Sequence, residues 1–513
     1  MKGIQSFWLR ETEKKYFTCG WLDTKYNLFS WVLSSLQLTQ FYNKRELITD
    51  SIGAELAIGK LQLPYTHVST DLETIKQDNY FWVSNKLYTY SIQNEPFIHL
   101  DTDAYLFKQL HSKLLTAPLV AQNFEYDHTY YTQSFQEVIA NCTYLPDFIR
   151  TDELGRLTAV NAGLIGGTNV SFFKEFETFT KEFFQKNETG LRKCTYENIN
   201  IFVEQFLFKK FADYKNIPID YVSSIEFGPA PDYQMANFTQ LPTNCPYIHV
   251  MNYKRNSTVC EQLAQRLWLE SPELYERVLT VCRELEATHH PISQPVQQQI
   301  PSPFYRTAYL LESVQLPNPI GPSVAALSTH IQALPENEVK SVLEDVYQFE
   351  YGRQRFIDAL PGSATLTQHW QTYSRQTNTL LALPAEVYHQ QSIRLGRYCQ
   401  RIESDWNWAE TNEFAQQTAD RDLAHNLHLE PSYHEVVLYI YLHQGIVREQ
   451  LLDALNMLIL DTLEAPASIT SVIDGVCDQV AAYQSEVDRA ELVDTILSRI
   501  RHFLYHGVLE VCE

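Results

Sequence analysis

The first hundred residues alternate short apolar runs with longer amphipathic ones. Gly3 to Trp8 and Arg45 to Asp50 have the length and apolar content of strands. Between them, Tyr26 to Tyr42 carries apolar side chains at 28, 29, 32, 33 and 36, the spacing of one helix face. Ala54 to Leu61 predicts a short helix, Thr66 to Ser69 a third strand after Pro64, and Trp82 to Gln93 a helix leading into a Phe97–Leu100 strand. This order predicts an α/β domain with a Rossmann-type, mostly parallel sheet covered by helices on both faces. Ligands of such sheets gather beyond the carboxyl ends of the strands. Thr49-Asp50 and Asp101-Thr102-Asp103 both fall there.

The pattern changes after residue 286. The stretch 287–303 is rich in proline and glutamine, has no apolar periodicity, and predicts a linker between a domain at 1–286 and another at 304–513. The second domain is predicted mostly α-helical. Glu336 to Leu360 has helical spacing, Tyr433 to His443 and Val447 to Leu458 predict two helices about a turn at Gly445, and Asp488 to Tyr505 predicts a long helix before Gly507 and an apolar strand at Val508–Val511. That closing order resembles a winged-helix module. Trp406 and Trp408 predict buried aromatics, with a carbohydrate platform as the alternative.

Charge narrows the function classes. The net charge is −22, which argues against general nucleic-acid binding and against adsorption to anionic membranes, since both need cationic surface. The acidity is uneven: residues 1–303 hold 27 basic and 34 acidic residues, and 304–513 hold 13 and 28, with Lys340 the one lysine there. The nine cysteines are dispersed with no Cys-x-x-Cys pair, which argues against a zinc ribbon and predicts reduced thiols and a cytoplasmic location. No signal-peptide core or membrane-length apolar run is present.

Four stretches carry candidate chemistry. Pro96 to Asp103 is an apolar strand ending in two carboxylates one residue apart. Alternation along a strand would point Asp101 and Asp103 the same way, a hard oxygen pair suited to a divalent cation. Asn161-Ala162-Gly163 combines a donor–acceptor amide with small residues that allow close backbone approach. Glu204-Gln205 interrupts an apolar helix. His249 ends an apolar run, with Lys254 five residues on: an imidazole can serve as a third metal ligand and an ammonium can meet a phosphate.

In their order and spacing these stretches resemble the metal-dependent nucleotide-sugar glycosyltransferases of the retaining, glycogenin-like kind, which have a GT-A fold. The resemblance covers roughly residues 1–260 and rests on Lys86, Asp101 with Asp103, Asn161-Ala162-Gly163, Glu204-Gln205, and His249 with Lys254. Leu47-Ile48-Thr49-Asp50 with Leu63-Pro64-Tyr65 also resembles the early part of bacterial sugar transferases. The resemblance implies that Asp101, Asp103 and His249 hold manganese or magnesium. It implies that Lys86, Asp101, Asn161, Ala162, Gly163 and Lys254 bind a nucleotide-sugar donor, expected to be a UDP-sugar, and that Asp101, Asp103, Lys86, Glu204 and Gln205 form the catalytic group. Met251-Asn252-Tyr253 and Arg255 depart from the glycine and proline of the family's His-to-Lys segment.

The expected reaction is transfer of a hexosyl group to an acceptor, with a peptide or protein acceptor recognised by 304–513. The competing readings are a non-catalytic binding or scaffold protein on the same fold, and a metal-dependent phosphohydrolase using the same carboxylates.

Overall fold

The computed structural model describes residues 1–8, 18–75, 81–150, 157–223, 236–240, 247–289, 303–316, 324–409, 423–441, 445–483 and 488–512. The chain divides into two compact units: Met1–Phe238 with Asn244–Leu263 and Glu273–His289, and Thr239–Thr243 with Ala264–Pro272 and His290–Glu513. Most of the predicted 287–303 linker lies outside the described residues. Helix Pro272–His289 runs into its first three positions.

The first unit is built on a seven-stranded sheet. Its strands are β1 (Lys2–Ser6), β2 (Arg45–Ile48), β3 (His67–Ser69), β4 (Phe97–Leu100), β6 (Leu119–Ala121), β9 (Leu164–Gly167) and β10 (Ile219–Tyr221), with short pairs formed by β5 (Ala104–Leu106) with β11 (Tyr247–His249) and by β7 (Phe124–Tyr126) with β8 (Thr158–Val160). The order across the large sheet is β10-β6-β9-β4-β1-β2-β3. The left- and right-hand strands pair in parallel, but β9 runs antiparallel to both β4 and β6, so the sheet is mixed.

Alternation along the strands feeds two cores. Phe97, Leu119, Ala121 and Ile165 pack with side chains of helices α2 (Val83–Ser91), α3 (Thr129–Asn141) and α4 (Val170–Leu191). Ile98, Leu100, Val120 and Leu164 face the other way, onto Leu38 and Tyr42 at the end of α1 (Thr24–Phe41). Both faces of the sheet are therefore covered, as period-two alternation with apolar residues on both sides requires.

The predicted elements of this unit form close to their expected bounds, with one change of type. Glu55–Lys60 is a π-helical turn following the short α-helix Ser51–Ala54. Asp50 accepts from Gly53 N at 2.7 Å and so caps that helix.

The second unit departs further. Tyr433–His443 and Val447–Leu458 are not two packed helices. His434–Tyr441 (β14) and Ile446–Leu451 (β15) pair antiparallel, and β14 pairs on its other edge with Cys399–Ser404 (β13). A helix follows only at Ala454–Asp461. Val436 to Ile440 are all buried; such a run lacks any periodicity that would separate a buried strand from a buried helix. The rest of the unit is largely helical, with Glu338–Asp358, Ser363–Leu381, Ile469–Tyr483 and Arg489–His506 as its long helices. Gly507, at φ +83°, closes the last of these and turns the chain into β17 (Leu509–Val511). β17 pairs with β12 (Ser392–Leu395), which also pairs with the two-residue strand β16 (Ala467–Ser468). Trp406 and Trp408 are buried, their indole N–H groups donating to Leu429 O at 3.1 Å and Asp345 Oδ2 at 2.6 Å. They are core residues and offer no carbohydrate platform.

Candidate metal centre

Strand β4 ends at Leu100, and the chain turns at once into β5 through Ala104 N–H donating to Asp101 O at 3.1 Å. The two carboxylates therefore converge through a β-turn, not through the strand pleat that the sequence pattern suggested. β5 pairs with β11 so that Ala104 lies opposite His249, and Val250 N donates to Asp103 O at 3.1 Å. This pairing brings a residue 146 positions downstream of Asp103 to the same point. One ligand atom from each of Asp101, Asp103 and His249 lies within 4.8 Å of the others.

The imidazole is held from behind. His249 Nδ1 is 2.8 Å from Gln122 Oε1, and Tyr247 OH donates to the same oxygen at 2.7 Å. An amide oxygen only accepts, so this contact places a hydrogen on Nδ1 and leaves Nε2 facing Asp103 Oδ2, 3.5 Å away. Gly163 makes room for the ring: a β-carbon there would fall 2.3 Å from Nδ1. Its carbonyl also accepts from Asp101 N at 2.9 Å, and its N–H donates to Asn161 Oδ1 at 3.0 Å. The Asn-Ala-Gly stretch, between β8 and β9, thus shapes the wall of the centre.

Two lysines balance the acids. Lys86, on α2, lies 2.8 Å from Asp101 Oδ1 and 2.5 Å from Glu204 Oε1. Lys254 lies 2.7 Å from Asp103 Oδ2. Burial would push the Asp103 carboxyl up, but Lys254 and His249 outweigh it and hold the group well below the carboxylate range. Asp101 goes the other way: burial and the neighbouring charge of Asp103 raise it against the pull of Lys86. Burial likewise raises Glu204, helped by Asp101 and opposed by Lys86. Burial opposes the charge on Lys86, yet its two carboxylates keep that ammonium protonated more firmly than a free lysine.

Glu204 and Gln205 sit in a π-helical turn, Phe202–Leu207, between two α-helical segments. Such wide turns occur often at functional sites, because the extra residue redirects side chains. Tyr90 OH donates to Glu204 Oε1 at 3.0 Å. Gln205 Oε1 lies 2.5 Å from Tyr131 OH, which is also 2.6 Å from Glu125 Oε2. Glu125 Oε1 accepts from Asn161 Nδ2 at 2.9 Å. A continuous polar wall therefore runs Gln205–Tyr131–Glu125–Asn161–Gly163 and ends at His249.

The structure thus joins Lys86, Asp101, Asp103, Glu204, His249 and Lys254 in one charged cluster. Asn161, Gly163 and Gln205 lie along its wall. Ala162 is buried and contributes no side-chain polar atom. Sequence reasoning missed Gln122, Glu125, Tyr90 and Tyr131. The only trace of the first was a polar pair, Gln122-Asn123, directly after an apolar strand.

Fold and site together define an α/β protein with a carboxylate–imidazole cluster that could hold a metal ion at the carboxyl end of a sheet strand. The chain belongs to DUF6734, a family of unknown function whose profile spans residues 1–281. Comparison with curated proteins gave no match.

Proposed function

We propose that the first unit is a divalent-metal-dependent transferase that acts on a nucleotide-diphosphate sugar, with a GT-A-type fold. The observation that carries this reading is the meeting of Asp101, Asp103 and His249 within 4.8 Å. Two carboxylate oxygens and one imidazole nitrogen suit manganese or magnesium, and leave further positions for diphosphate oxygens. Two ligands of one such cation are at most about 4.2 Å apart at bond lengths of about 2.1 Å, and three that all bind it lie closer together still, so the cluster contracts to seat one. A bound cation would act as a Lewis acid on the leaving diphosphate.

The remaining roles belong to the chain. Lys254 reaches the diphosphate. Lys86 keeps Asp101 and Glu204 ionised and in place. Asn161, Glu125 and Gln205 present the polar wall that orients the donor sugar, and Gly163 lets the wall approach closely. The resemblance to glycogenin-like enzymes supports hexosyl transfer with a UDP-sugar as donor. The second unit is assigned to acceptor recognition. The order helix, strand, helix, helix, strand over 454–511 is compatible with a winged-helix-like peptide-binding module, and the excess of acid over 304–513 favours a basic peptide or protein. Among the described residues no helix is long and apolar enough to cross a membrane.

Calorimetry with UDP-sugars, with and without manganese, tests the reading. Metal-dependent binding that disappears in Asp103→Ala is the expected result. Binding that ignores the metal favours the non-catalytic scaffold, and phosphate release without an acceptor favours the phosphohydrolase.

A further inference from the structure

Asp103 Oδ2 has two claimants. It accepts the Lys254 ammonium at 2.7 Å, and it belongs to the carboxylate that forms the ligand set with Asp101 and His249. Lys86 already serves Asp101 and Glu204, so Lys254 is the ammonium paired with Asp103. A divalent cation bound by this carboxylate and an ammonium 2.7 Å from its Oδ2 repel each other at contact distance.

The backbone of Lys254 is fixed. Its carbonyl accepts from Leu22 N at 3.1 Å and from the Cys260 thiol at 3.2 Å. Any exchange must therefore come from the flexible side chain, which is 26% exposed. It also lies 3.5 Å from Cys19 O, too long a contact to hold the ammonium by itself.

We infer that Lys254 is an internal counter-cation, which a divalent metal displaces from Asp103 and the diphosphate of a nucleotide then receives, so that metal and nucleotide load as a coupled pair. This rests on the metal-centre reading above and adds the coupling to it. Metal alone strands an ammonium beside a dication. Diphosphate alone meets the negative charge of Asp101 and Asp103. Together each removes the other's penalty, and linkage makes the effect equal in both directions.

The test is manganese binding to the full chain, by calorimetry and by electron paramagnetic resonance, with and without UDP. In the unmodified protein UDP should tighten manganese binding at least tenfold. Lys254→Met should bind manganese alone at least tenfold more tightly than the unmodified protein and lose most of the UDP effect. Lys254→Gln should behave in the same way and replaces the methionine variant if that one misfolds. Lys254→Arg keeps a cation and should bind manganese alone as weakly as the unmodified protein.

Lys254→Met and Lys254→Gln binding manganese no more tightly than the unmodified protein, while Asp103→Ala abolishes binding, would overturn the inference and leave the metal centre standing. Manganese binding absent from every form, with or without UDP, would remove the metal centre and this inference with it.

Discussion

A β-carbon on Gly163 would fall 2.3 Å from Nδ1 of His249 and 2.6 Å from Oε1 of Gln122. The glycine is therefore demanded by a neighbouring ring and not by its own backbone angles. Gly163→Ala must push the imidazole away from Asp103 or break its bond to Gln122. The expected cost is about 1–3 kcal/mol of stability, the usual range for overpacking, and a manganese affinity lower by roughly ten- to a hundredfold. Gly362→Ala is the control, since nothing lies within 4 Å of its β-carbon position. Thermal melts and manganese titrations of the two variants check this; equal manganese affinity in both would refute it.

Gln122 makes the second prediction. Gln122→Leu removes the acceptor shared by Tyr247 OH and His249 Nδ1. Two buried donors then lack a partner, at about 1–3 kcal/mol for each, and the ring loses the contact that places a hydrogen on Nδ1. Manganese binding should weaken by roughly ten- to a hundredfold. Gln122→Glu restores an acceptor and should retain the metal. If both variants bind manganese as the unmodified protein does, Gln122 has no part in orienting the ring.

What could be read from the chain follows from how far each signal reaches. Asp101, Asp103 and His249 stand out because they follow apolar runs, and Asn161 and Gly163 because an amide beside small residues allows close backbone approach. Their convergence depends on β5 pairing with β11, a contact between residues more than 140 apart that no local pattern encodes. Gln122 directly follows β6 and Glu125 is the middle residue of β7, positions that nothing in the sequence marks as part of a site, and only the folded chain shows what they hold. The antiparallel course of β9 was illegible because Leu-Ile-Gly-Gly carries no direction. Gly166 and Gly167 do show why small residues sit there: β-carbons at those positions would fall 2.1 and 2.2 Å from the carbonyl oxygens of Phe97 and Pro118. The hairpin at 434–451 was misread as two helices because burial on both faces erases the alternation that marks a strand.

Lys86 makes the third prediction, and here stability and pH are linked. Lys86→Met leaves Asp101 and Glu204 without their shared cation. Breaking a buried pair in this way costs about 3–5 kcal/mol, and less here because Asp101 is partly exposed. Glu204 is already raised above its ordinary value by burial, and loss of Lys86 raises it further. A carboxyl raised in the folded state is most favourable below its unfolded value, and that contribution is lost as pH rises through the folded value. The variant should therefore be weakest relative to the unmodified protein near pH 7 and recover toward pH 4.5. Chemical denaturation across that range measures it. A difference that stays constant with pH would refute the shared-cation account.

Glu137, away from the candidate metal centre, has the opposite sign. Its carboxylate accepts from Thr195 N at 2.6 Å, Thr195 Oγ1 at 2.9 Å and Gln133 Nε2 at 2.9 Å, at the start of the helix Tyr196–Ile201. Burial pushes the group up, but these donors outweigh it and hold its pKa below the ordinary value of 4.5. Such a group stabilises the fold above its unfolded value, and the contribution is lost as pH falls through the folded value. Glu137→Gln keeps the shape and one acceptor but removes the charge that makes these bonds strong. The variant should melt earlier than the unmodified protein at pH 6–7, by an amount corresponding to about 1 kcal/mol. The gap should close in acid, as pH falls below the ordinary value of 4.5 and through the lower folded value, where the unmodified carboxyl is protonated as well. Melting curves at half-unit intervals of pH will show whether the two converge in acid; parallel curves would mean that the ionised form of Glu137 contributes nothing to this helix start.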